Sequence, residues 1–174
     1  MNRHQSHFRS KSTAGFTVVE CLIALAISAV LLTAVAVAFN ASVVSYQENE
    51  KMYRTMNNAR QALTRMTTQL RTGYAVFPGD PSHRCSFHTA TNDDITYEFR
   101  DASDPSDPNT LWLITNSDSQ AYLLCDNVIA ATFDRTLTGD GMDCKSVQIS
   151  LTVRDGGFER TLSAAAVVRK NLSF

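Results

Sequence analysis

The chain has 174 residues and a net charge of −1, a length that suits one folded domain with an appendage. Its 16 Lys and Arg do not outnumber its 17 Asp and Glu, which argues against the basic phosphate-binding surface that sequence-independent nucleic-acid affinity requires. Apolar residues make up 44 %, enough to build a core and out of keeping with a disordered body.

The charges are unevenly placed. Arg3, Arg9 and Lys11 stand in the first fifteen residues with no acid among them. From Phe16 to Phe39 the sole charge is Glu20, and Gly and Pro are absent. About 24 helical residues at 1.5 Å each reach roughly 36 Å, enough to cross a bilayer core. The basic start predicts a cytoplasmic amino terminus, with the body beyond the membrane. A secretory signal would have a shorter apolar stretch and a small-residue cleavage site. A lipoprotein signal would need small residues where Val18, Val19 and Glu20 precede Cys21. A plain signal anchor explains length and orientation but leaves the charge of Glu20 unexplained, at a cost of roughly 2.5–3.5 kcal/mol near a helix centre.

The segment "GFTVVE", followed by a long apolar run, resembles the type IV prepilin motif. That resemblance implies a leader of residues 1–15, cleavage between Gly15 and Phe16, and N-methylation of Phe16. Glu20 then becomes the fifth mature residue, where these families keep a glutamate. In a water-poor filament core the Glu20 carboxylate of one subunit would pair with the new amine of a neighbour and set its axial register. The alternative is a glutamate that snorkels to the headgroups.

Beyond residues 16–39, the filament-core and membrane-spanning part, a helix is predicted to about Thr72. Met52, Met56, Ala59, Leu63, Met66 and Leu70 recur at steps of four and three, an amphipathic stripe suited to packing on a sheet. Gly73 and Pro78 mark its end. The apolar half lacks the helix-breaking Pro common in major pilins, a departure that favours minor pilins and pseudopilins.

After Pro81 short alternating runs follow. "DITYEF", "TLWLIT", "AYLLC", "VIAATFD", "SVQISLTV" and "RTLSAAAVVRK" are predicted strands, separated by "DASDPSDPN", "LTGDGMD" and other turn-rich segments. The expected class is α+β: a long amino-terminal helix, its second half (40–73) packed on an antiparallel β-sheet head of residues 74–174. "NNARQALTRMTTQLRTGY" resembles the helix end of J-type pseudopilins of type II secretion and of W-type minor pilins, and the strand layout ending in "VVRKN" is similar to the W-type.

The chain has four cysteines, and those of the body admit one disulfide if the body is exported. In a single meander, Cys85 and Cys144 fall towards the same end of the sheet. Cys85–Cys144 is therefore expected first and Cys85–Cys125 next. His83, Cys85 and His88 form H-x-C-x-x-H, which with Cys125 or Cys144 would complete a tetrahedral zinc set. The disulfide is preferred to that metal site. Asp101, Asp104, Asp107 and Asn109 crowd one loop, Asp140 and Asp143 another. Calcium is conceivable there, though solvated acidic loops are preferred and no cofactor is expected. No phosphate loop, GxSxG or other catalytic arrangement is present, so no enzymatic role is expected.

The resemblance implies a bacterial minor pilin or pseudopilin in a tip complex that primes a type IV pilus or type II secretion pseudopilus. Its implied partners are other minor and major subunits, the prepilin peptidase/methyltransferase and the inner-membrane assembly platform. The implied location is the inner membrane, single-pass with a periplasmic head, and then the filament tip. A tip-displayed adhesion or DNA-uptake module and a non-polymerising membrane anchor are the alternatives. Pilus and secretion system use the same leader and stalk, and the sequence does not separate them.

Overall fold

A computed structural model describes residues 15–139 and 141–168. The leader up to residue 14, with His4 and His7, Asp140, and "RKN" near the carboxyl end lie outside the described residues.

One helix, α1, spans Val18–Thr72. No Gly or Pro interrupts it, and its sequence is dense in Ala, Leu, Met, Gln and Arg beyond residue 51, all good helix formers. The chain divides into two compact units, residues 1–45 and 46–174. In the first unit every described side chain is exposed. In the second, α1 buries Thr55, Ala59, Ala62, Leu63, Met66 and Leu70. This is the predicted stripe, widened by Thr55 and Ala62, with Met52 and Met56 half-buried at its end.

The helix packs on two antiparallel sheets. The first contains β1 (Arg84–His88), β2 (Asp94–Arg100), β3 (Thr110–Thr115) and β4 (Gln120–Cys125), in that order. The second contains β5 (Val128–Leu137), β6 (Cys144–Asp155) and β7 (Phe158–Val167). The α+β class holds, but the single expected sheet is two. Only Asp126 and Asn127 separate β4 from β5, and Asn127 has a φ of 55°, which redirects the chain. Rather than pairing with β4, β5 sends its Phe133 N–H to the Ser82 carbonyl at 2.7 Å, and Val128 N–H reaches the Asn109 carbonyl at 2.9 Å. Between β6 and β7, Asp155 pairs with Phe158, leaving Gly156-Gly157 as a two-residue turn, with Gly156 at φ 59°.

The core lies between the helix and both sheets. Val147, Ile149, Leu151 and Val153 of β6 are all buried, as their alternation predicts. Tyr97 of β2 lies between Phe87 of β1, whose ring is tilted against it with centroids 5.8 Å apart, and Phe133 of β5, on which it stacks at 6.5 Å. Its hydroxyl donates to Gln69 of α1, and Thr55 donates to Asp155 at 3.1 Å, so polar ties fix the helix at both sheets. Each large buried side chain contributes about 1.5–3 kcal/mol.

Gly73 ends α1 by close packing. A Cβ there would stand 2.7 Å from the Phe87 ring and 2.8 Å from the His88 carbonyl, where Tyr74 bridges to His88. Gly73→Ala is expected to lower stability by about 1–3 kcal/mol through overpacking, measured by urea unfolding of the purified chain.

Candidate functional site

Gly15, Phe16 and Thr17 lie outside the helix and are exposed. No atom comes within 4 Å of a Cβ built at Gly15. The next residues start the helix. The Thr17 N–H donates to Glu20 Oε2 at 3.1 Å, and its hydroxyl donates to the same oxygen at 3.0 Å. In return the Glu20 N–H donates to Thr17 Oγ1 at 3.2 Å. This reciprocal pair is a capping box, with Thr17 as N-cap and Glu20 as N3, and it places a carboxylate in the first turn, where the helix dipole favours one. The T-x-x-E spacing is a capping signal in the sequence itself, one that the motif reading passes over. Behind the cap, Val18 to Phe39 present large apolar side chains to solvent, among them Val18 at 78 % and Leu32 at 71 % exposure. The helix is long and apolar enough to cross a membrane, and such a surface needs lipid or other helices around it.

In the body, β1 was not expected, because "RCSFH" is short and polar at its ends. Its alternation sends Cys85 and Phe87 to one face and His88 to the other. The H-x-C-x-x-H spacing therefore divides its members between two faces. Among the described residues no group of three or more His, Cys, Asp or Glu is arranged to hold a metal.

No disulfide is present among the described residues, and Cys21 is exposed while Cys85, Cys125 and Cys144 are buried thiols. Cys125 sits on β4, with β2 and β3 between it and Cys85 on β1. Three strand spacings amount to about 14 Å, beyond the roughly 7 Å that a disulfide spans between Cα atoms. The fold thus separates the second expected pair. Cys144 is placed differently, opposite Leu137 of β5 and near Cys85 through Arg135.

Sequence reading missed Arg135 altogether. Its side chain, 7 % exposed, donates to the carbonyls of Asp80 at 2.9 Å, Pro81 at 3.4 Å and Arg84, and stands 4.0 Å from the Asp80 carboxylate. Asp80 in turn accepts the Ser86 N–H at 2.6 Å. One guanidinium thus holds β5 against the entry to β1, where the two sheets share no ladder. Nothing in the sequence marks one Arg of the 16 Lys and Arg as buried.

The loop of Asp101, Asp104 and Asp107 is organised by Arg100. That guanidinium lies 3.1 Å from Asp107, 3.9 Å from Asp104 and 3.3 Å from Glu98, and 5.0 Å over the Trp112 ring. Its positive charge occupies the place a cation would take among these carboxylates. With His83 and Thr132, the loop lines a groove of about 650 Å³ beside β5. The hydroxyl and N–H of Ser103 hold the Asp101 carboxyl below its ordinary range. A depressed carboxyl stabilises the loop above its unfolded value, near pH 3.9, and that contribution is lost as pH falls through the lower folded value. The Ser103 amide resonance is expected to stay fixed from pH 7 to about 4 and to move below. A midpoint above pH 5 would refute the contact.

Residues 10–36 match the family described as the prokaryotic N-terminal methylation motif. The matched stretch takes in the Gly15–Phe16 bond, the capping box and most of the exposed apolar helix. No curated protein matches the chain, and no solved structure does.

Proposed function

We infer that this type IV pilin-like chain is a minor pilin or pseudopilin, a structural subunit of a tip complex that primes filament assembly. The observation that carries the pilin-like part of this reading is the junction at Phe16: a methylation motif, an exposed Gly15–Phe16 bond, a helix capped from Thr17, and then an apolar surface left bare. A peptidase of the membrane cleaves after Gly15 and methylates the new amine of Phe16. The chain is the substrate of that chemistry, and its own work is structural.

In the filament the apolar helix packs among those of other minor and major subunits, delivered through the inner-membrane assembly platform. The Glu20 carboxylate accepts two bonds from Thr17 and has lone pairs to spare, so it can also meet a neighbour's amine. Before assembly the chain spans the inner membrane with its sheets on the periplasmic side. The minor role rests on the helix without Pro between Phe16 and Phe39. Immunogold labelling of sheared filaments tests it: gold is expected at filament ends. Gold along the shaft would make the chain a major subunit, and gold confined to membranes a plain anchor.

A further inference from the structure

We propose that export leads to a disulfide between Cys85 and Cys144, one that would stitch the first sheet to the second beside Arg135. Three placements bring them together. Arg135 donates to the carbonyl of Arg84, the residue before Cys85. Arg135 also lies two positions from Leu137, whose partner across the ladder is Cys144. The two sulfurs lie within electrostatic reach of that guanidinium and of each other. Both side chains are fully buried, in a place where the sheets are otherwise held by side-chain bonds to carbonyls. Cys125 stands apart by its place on β4, three strands from Cys85; its thiol donates to the Asp126 carbonyl at 3.3 Å, as that of Cys144 does to the Ser146 carbonyl.

The proposal rests on the reading that the sheets are exported, since only there does a disulfide persist. The oxidant is a protein disulfide of an exported thiol oxidase. Two S–H bonds of the chain and the oxidant's S–S bond break, one S–S bond forms in the chain, and the two protons and two electrons pass to the oxidant, whose disulfide becomes a dithiol. Burial pushes the Cys85 thiol up to about 12, so the nucleophilic thiolate is scarce once the core has closed. Oxidation therefore accompanies folding, and an oxidant added to reduced, folded chain acts slowly.

The test alkylates thiols of the full chain in denaturant, straight from native membranes, and maps a non-reducing digest by mass spectrometry. A protease added to spheroplasts reports which side the sheets occupy. In parallel, reduced and denatured full chain is refolded in detergent with oxidised glutathione. The expected result is a Cys85–Cys144 peptide from both sources, with Cys21 and Cys125 alkylated. A link through Cys125, or alkylated Cys85 and Cys144 in a chain whose sheets the protease reaches, overturns the proposal. If the protease does not reach the sheets, export fails as a reading. The refolded chain then decides the pairing alone: a Cys85–Cys144 link upholds it, and any other result overturns it. Reduction is expected to lower the Tm of the oxidised chain by about 10 °C. In Cys85→Ser and Cys144→Ser chains reductant is expected to leave Tm unchanged. A reductant-sensitive Tm in either variant contradicts the pairing.

Discussion

Glu20→Gln is expected to leave the start of α1 intact and yet remove the chain from filaments. Glutamine accepts the same bonds from the Thr17 N–H and hydroxyl, so the capping box survives. It carries no charge, so the attraction to a neighbour's methylated amine is lost, and that amine is left unpaired in a water-poor core. A loss of only about 1.4 kcal/mol lowers incorporation tenfold, and an uncompensated buried charge costs more. Thr17→Ala makes the reciprocal change. It keeps the carboxylate and removes the N-cap, a loss of about 1 kcal/mol, and incorporation is expected to fall far less. Quantitative blots of sheared filaments against membranes read both variants. If the Glu20→Gln chain enters filaments at the normal level while the Thr17→Ala chain does not, the work of Glu20 is capping alone.

The second large effect is at Arg135. Arg135→Ala is expected to lower stability by about 3 kcal/mol, because the Asp80 carboxylate and three carbonyls lose a buried, charged donor. For a body of this size that lowers Tm by about 10 °C. Arg135→Lys is expected to recover little, since one ammonium cannot span carbonyls that the planar fork reaches together. Differential scanning calorimetry of the full chain in detergent measures both. A shift under about 2 °C for the alanine variant, well below the expected drop, would show that the two sheets are held by apolar packing alone.

These two residues mark the limits of what the letters disclose. The apolar run, the α1 stripe and the β6 alternation were all legible, because helical and strand periods depend only on neighbours in sequence. The capping box of Thr17 and Glu20 is a local signal too, although the motif reading of Glu20 passes it over. β1 was obscured by its brevity and its polar ends, and the strand sets Cys85 and His88 of the H-x-C-x-x-H spacing on opposite faces. The division into two sheets was not legible. Alternation decides which face of β5 is buried but not which edge it joins, and that depends on Asn127 and on contacts to Ser82 and Arg84 far away in the chain. Arg135 has no local signature for the same reason: its partners precede it by more than fifty residues.

The central claim is that Phe16 becomes a methylated amino terminus and the partner of Glu20. Mass spectrometry of the amino-terminal peptide, from chain extracted from native membranes, tests it most directly. The account predicts a peptide that begins at N-methylated Phe16. A peptide that still carries the residues before Gly15, from cells with an active peptidase, would contradict it and leave a simple membrane anchor.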